Sequence, residues 1–167
     1  MSNLGLELAC QERGIAFERS SVGDRHVLEK MYANSWTLGG EASGHIIQLD
    51  KSTTGDGLLT AISVLEVMHS TGRTLAELVS SMQIYPQSMI NVPINGSVSA
   101  AIVLGDETVI NAVREVESVL DCNGRVVLRP SGTEPVIRVM VEGVDAEQVE
   151  TLVEQLTMAV VSSSAKH

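Results

Sequence analysis

Residues 125–143 read Arg-Val-Val-Leu-Arg-Pro-Ser-Gly-Thr-Glu-Pro-Val-Ile-Arg-Val-Met-Val-Glu-Gly, and they decide the fold of the C-terminal half. Two aliphatic, β-branched runs, Arg125–Arg129 and Val136–Glu142, flank a polar stretch rich in Pro, Ser and Gly. That pattern predicts two strands joined by a loop. Working outward, a helix is expected from Asp106, with Val109, Val113, Val116 and Leu120 one turn apart. Upstream of it Met89–Ile94 reads as a strand whose Pro93 belongs on a sheet edge. Downstream, Asp145 and Gln148 have capping-box spacing ahead of Val149, Val153, Leu156 and Val160. The order is β-α-β-β-α, an α+β unit with helices on one side of an antiparallel sheet.

The N-terminal half is patterned differently. Residues 3–13 suit a helix ending at Gly14, Ile15–Arg19 a strand, and Val27, Leu28 and Met31 a second helix. A glycine-rich bend, residues 38–44, precedes a strand over His45–Asp50. Gly55-Asp56-Gly57 opens a longer helix with the stripe Leu58, Ile62, Leu65 and Met68 and a stop at Gly72. A short helix over Thr74–Met82 follows. Residues 83–87, with Pro86, form the expected boundary, which gives two domains, 1–82 and 83–167.

The 167 residues carry a net charge of −10, which argues against a nucleic-acid footprint. Only 2% of the residues are aromatic, so base-stacking platforms are equally disfavoured. Cys10 and Cys122 stand far apart, outside any metal-type spacing, which suits a reduced cytoplasmic setting. Neither a spanning apolar run nor a signal-peptide pattern is present, so the chain is expected to be soluble, without membrane partners.

Two loops can carry chemistry. In Arg129-Pro130-Ser131-Gly132-Thr133-Glu134-Pro135 a planar cation, two hydroxyls and a glycine lie together. The guanidinium fork matches phosphate oxygens, and Ser131, Thr133 and neighbouring amides can surround the rest. The plainer reading is ordinary turn chemistry with Arg129 paired to Glu134, and spacing alone leaves the two about even. Arg138 can face the same ligand or make a sheet-face salt bridge. In Glu41-Ala42-Ser43-Gly44-His45, carboxylate, hydroxyl and imidazole fall within five residues. Such a set suits sugar hydroxyls, with His45 able to exchange protons near neutrality. The alternative is a polar turn before a strand. Asp24, in Val22-Gly23-Asp24-Arg25, reads best as a helix cap, and Asp56 as a helix start rather than a magnesium ligand.

Taken in order, Val22–Arg25, Gly40–His45, Thr54–Gly57 and Arg129–Gly143 resemble the C-terminal part of a phosphohexomutase, most closely the bacterial branch acting on glucosamine phosphates. The resemblance implies an incomplete third domain of mixed αβα type followed by a whole fourth domain. It implies that Glu41 and Ser43 bind sugar, that His45 assists proton transfer, and that Arg129, Ser131, Gly132 and Thr133 bind phosphate. The implied reaction interconverts glucosamine 6-phosphate and glucosamine 1-phosphate through a bisphosphorylated sugar, on a phosphoserine and a magnesium ion that other domains hold. Neither a Ser-His-Asn-Pro nor an Asp-Gly-Asp-Gly-Asp run occurs here, so these residues alone are expected to bind no magnesium and to be inactive. The implied partners are a hexosamine phosphate and the enzyme's N-terminal domains. Phosphomannomutase or phosphoglucomutase specificity, or a stand-alone non-catalytic anion-binding module, are the alternatives.

Overall fold

The computed structural model describes residues 1–80, 82–94 and 99–166, and at position 122 the backbone only. Cys10 is a free thiol; the side chain of Cys122 lies outside the described residues. The chain divides into two compact units, Met1–Ile84 and Tyr85–His167.

The C-terminal unit runs β3 (Gln87–Pro93), α5 (Ala100–Gly105), α6 (Glu107–Leu120), a 3₁₀ turn (Asp121–Asn123), β4 (Gly124–Pro130), β5 (Val136–Gly143) and α7 (Ala146–Lys166). The strands form one antiparallel sheet in the order β3-β5-β4. Alternation along the strands sends Val92, Ile137, Val139 and Val141 to one face. There they meet Val109, Val116 and Leu120 of α6 and Val149, Val153, Leu156 and Val160 of α7. Both stripes have helical spacing, so each helix buries one face against the same side of the sheet. Pro93 does sit on an edge strand, since β3 has β5 on one side only. Helix α5 was not expected from the sequence. Its six residues are too few to show a period, and its start is set by Ser99, whose hydroxyl accepts from Ala101 N–H.

Asp106 joins α6 to α7. Its carboxylate accepts from Thr108 N–H at 2.7 Å and from the buried Ser163 hydroxyl at 3.0 Å. The backbone and hydroxyl of Thr108, then Ser163, hold its pKa down at about 2. A depressed carboxylate stabilises the fold above its unfolded-state pKa and loses that contribution as pH falls through the folded value. The thermal midpoint should therefore fall between about pH 4 and pH 2, and Asp106→Asn should flatten that part of the profile. Calorimetry across this range checks both.

The N-terminal unit contains α1 (Leu4–Glu12), α2 (Asp24–Asn34), β1 (Leu38–Gly40), β2 (Ile46–Gln48), α3 (Gly57–Thr71) and α4 (Leu75–Val79). β1 and β2 form an antiparallel hairpin packed on α2. Gly39 allows that contact, because a Cβ there would run into the sulfur of Met31 and Cγ1 of Val27. Asp56 caps α3 by accepting from the amides of Leu58 and Leu59. Thr74 and Glu77 form a full capping box at α4.

Three expectations for this half need correction. Residues 15–19 belong to no strand, because among the described residues no strand lies beside them. Arg19 instead ties the segment to α1, donating to Glu7 and to the Ser2 carbonyl. The strand expected over His45–Asp50 is confined to Ile46–Gln48, and its partner β1 falls within the stretch read as a bend. The apolar stripe of α3 forms no buried face: Leu58, Ile62 and Leu65 are 74%, 55% and 61% exposed, Met68 is half-buried, and no residue of the helix is buried. α3 is apolar around much of its circumference, and a stripe does not select a face when the flanks are apolar too. Val64 and Val67, 37% and 48% exposed, line an apolar cleft of about 780 Å³ with Leu6, Phe17, Leu38 and Leu78.

Candidate functional site

The antiparallel register of β4 and β5 builds the first group of residues. Arg129 lies directly opposite Arg138, with Asn91 of β3 on the other side of Arg138. The three share the face of the sheet turned away from the helices. Each arginine buries its Nε, and neither Nε has a hydrogen-bond partner among the described residues. Like charges placed opposite each other across strands repel, and a buried charged donor without an acceptor costs more. A dianion between the two forks would satisfy both.

The pairing of Arg129 with Glu134, the plainer sequence reading, is not what the loop makes. The nearest cation to Glu134 is Nη2 of Arg138, at a loose 3.9 Å. Of the amides offered to an anion, Ser131 N–H already donates to the Val136 carbonyl at 2.9 Å. Thr133 N–H leans on the Ser131 hydroxyl at 3.4 Å, so those two residues are drawn together. Gly132 and Thr133 are exposed, and a Cβ on Gly132 would meet open space.

The second group sits on the β1–β2 loop. Glu41 N–H donates to the His45 carbonyl and Gly44 N–H to the Glu41 carbonyl, closing a tight turn. Gly44 has φ +93°, which a side chain would strain. Glu41 Oε1 accepts from Gly23 N–H at 2.7 Å, and His45 Nδ1 lies 2.9 Å from Oδ2 of Asp24. Ser43 is exposed at the tip of the turn. Asp24 therefore does not cap α2, as its position in the sequence suggested; Gly23 occupies the N-cap position. The neighbouring Glu41 and His45 side chains lower the Asp24 pKa. Nothing in the local sequence links Asp24 to residues seventeen and more positions away; only the packing of α2 on the hairpin does so.

Asp24, Glu41 and His45 bring one ligand-type atom each to within 4.8 Å of one another, the only such group among the described residues. Two of its carboxylates already hold internal partners and its third member is an imidazole, a donor set poorly suited to magnesium, which prefers oxygen and water. The Asp56 carboxylate is engaged as a helix cap. The described residues do not fit a magnesium ion. No described helix is long and apolar enough to cross a membrane.

Sequence profiles of the phosphoglucomutase/phosphomannomutase family match most of the chain: the alpha/beta/alpha domain III over residues 1–85 and the C-terminal domain over residues 89–159. The chain belongs to this phosphohexomutase family. It is 52% identical over 160 residues to the phosphoglucosamine mutase of Thioalkalivibrio sulfidiphilus and 54% identical over 160 residues to that of Halorhodospira halophila. These alignments cover 96% of this chain but only 36% and 34% of the relatives, so the chain spans about a third of their length. Among solved structures it resembles a single-residue variant of Aspergillus fumigatus N-acetylphosphoglucosamine mutase in complex with glucose 1,6-bisphosphate, with TM-score 0.78 at 16% identity. That superposition covers 98% of this chain and 37% of the other. An N-acetylglucosamine-phosphate mutase in its substrate complex gives TM-score 0.77 at 17% identity, covering 95% and 36%. These likenesses bear on the fold, and they agree with a mixed α/β unit followed by an α+β unit.

Proposed function

We propose that this chain is the sugar- and phosphate-binding C-terminal portion of a cytoplasmic phosphoglucosamine mutase, which interconverts glucosamine 6-phosphate and glucosamine 1-phosphate. The observation that carries the proposal is the cross-strand pair of Arg129 and Arg138, each with a buried Nε that has no partner among the described residues. Identity near one half to phosphoglucosamine mutases supports the choice of sugar. In this reading the two guanidinium groups hold the phosphate, with the Ser131 and Thr133 hydroxyls beside it and Gly132 leaving the backbone open. Glu41 and Ser43 accept and donate at the sugar hydroxyls, and His45 carries a proton at the reacting hydroxyl. Magnesium, which accompanies N-acetylglucosamine 6-phosphate in an A. fumigatus relative's structure, polarises the phosphoryl group in such chemistry. Asp24, Glu41 and His45 form a donor set poorly suited to hold it.

Phosphoryl transfer rests on positioning and charge stabilisation around a nucleophile and a metal. The chain by itself should therefore show no mutase activity with either glucosamine phosphate. Binding should survive weakly. Charge-assisted hydrogen bonds contribute about 1.5–3 kcal/mol each, against an association cost of about 4–15 kcal/mol. Three or four such bonds leave an affinity in the millimolar range. A ¹H–¹⁵N titration with glucosamine 6-phosphate should move the amides of residues 129–138 at millimolar concentrations. Saturating perturbation elsewhere, with these residues still, would refute the assignment.

A further inference from the structure

Asp24 is the first residue of α2, yet its carboxylate turns away from the helix end and meets the β1–β2 loop. Oδ2 stands 2.9 Å from His45 Nδ1, while Glu41 is anchored beside it by Gly23 N–H at 2.7 Å. The start of α2 thus grips the loop at two points, one through backbone and one through a side chain. His45 is otherwise lightly held. Its side chain is 63% exposed, and its Nε2 has no protein partner among the described residues.

We propose that Asp24 is a positioning residue for His45: its carboxylate fixes the imidazole as the Nδ1–H tautomer and leaves Nε2 as a bare, outward-facing proton acceptor. Which ring nitrogen carries the proton is set by the hydrogen bond the other nitrogen makes, and a carboxylate at Nδ1 leaves only Nε2 as the acceptor. The Glu41 and His45 side chains beside it lower the Asp24 pKa, which favours its charged form. The other carboxylate near the ring is Glu41, and its Oε1 is held by Gly23 N–H at 2.7 Å. Arg25 and His26, the next residues on α2, both turn to Glu29, at 2.8 and 3.4 Å. Glu41 comes from the loop itself, and on the remaining side Gly55 offers no ionisable group. When Nε2 takes a proton from a hydroxyl, the ring becomes an imidazolium with N–H at both nitrogens. Its Nδ1–H still faces the Asp24 carboxylate, which balances the new charge. The use of that base on a sugar hydroxyl rests on the function proposed above; the tautomer does not.

Long-range ¹H–¹⁵N spectra of the chain at about pH 8.5, where an ordinary imidazole is neutral, test this without any substrate. His45 is assigned by the signals that vanish in His45→Gln. The expected pattern is a protonated Nδ1 and an unprotonated Nε2 for His45. In Asp24→Ala the ring should revert to the Nε2–H form while the amide spectrum stays dispersed. An Nε2–H ring in the unsubstituted chain would overturn the proposal, and this measurement needs no variant to fold. An unchanged tautomer in folded Asp24→Ala would overturn it equally. Phosphate perturbation at residues 129–138 is read separately, so the two proposals fail by different signs.

Discussion

Arg129→Ala is expected to weaken binding of glucosamine 6-phosphate and of inorganic phosphate by about 10- to 100-fold, because one or two charge-assisted hydrogen bonds are lost. The stability of the C-terminal unit should be unchanged or slightly raised. The second half of that expectation is the discriminating one. In the absence of an anion, Arg129 stands opposite Arg138 with a buried Nε that donates to nothing among the described residues. Removing one guanidinium relieves the repulsion and one of the two orphaned donors. A structural arginine would behave the other way, with stability lost and anion binding untouched. Arg138→Ala should match Arg129→Ala, since either leaves a single fork. Titrations followed by ¹H–¹⁵N spectra, with thermal melts run with and without phosphate, measure both halves. Phosphate should raise the melting midpoint of the unsubstituted chain more than that of either variant. A melt that drops sharply in Arg129→Ala, with the phosphate response intact, would defeat the clamp.

Glu142→Ala should cost the C-terminal unit about 3–5 kcal/mol, a large share of the stability of a domain this size. Glu142 is 0% exposed, and its Oε2 accepts from Arg125 Nε at 2.6 Å. Truncating the acid leaves a mostly buried guanidinium without its carboxylate. Replacing both partners by methionine, Arg125→Met with Glu142→Met, should recover most of the loss, because well-packed apolar residues substitute for a buried ion pair at little cost. Urea unfolding with an unchanged slope checks both variants. The pair also bears on the site. Arg125 and Glu142 are opposed at the far end of the same β4–β5 ladder that brings Arg129 opposite Arg138. Register errors of one residue would turn one arginine to the other face of the sheet. The single variant should therefore blur the phosphate response as well as lower stability.

The sequence carried the strands and the two long helices of the C-terminal unit and the four helices of the N-terminal one, but not the burial of α3 or the strand pairing around residues 15–19 and 38–50, for a definite reason. Val126, Leu128, Ile137, Val139 and Val141 fall at every second position, and Val109, Val116, Val149, Val153 and Leu156 recur at helical spacing, because each element turns one face to the shared core, while β5 also buries Met140 and Glu142 on its other face. Where that condition fails, so does the reading. α3 is apolar on more than one side and has no buried residue in this unit, so its stripe marks no core face. Residues 15–19 have strand-like composition but no strand beside them, and composition alone makes no ladder.

The candidate site divides along the same line. Residue types at short spacing identified the two loops, Glu41–His45 and Arg129–Pro135, since a carboxylate, hydroxyl and imidazole, or a guanidinium with hydroxyls, are local properties of the chain. What those groups face was not local. Whether Arg129 meets Glu134 or Arg138 depends on a hairpin register that a string of residues does not state. That Asp24 turns to His45 instead of capping its own helix depends on α2 packing beside the β1–β2 hairpin. The sequence by itself determined which chemistry is available and which strands and helices carry it. Only the tertiary structure decided which charges stand together, because the energy of a charged group is set by its neighbours in space and by how far water is kept from it.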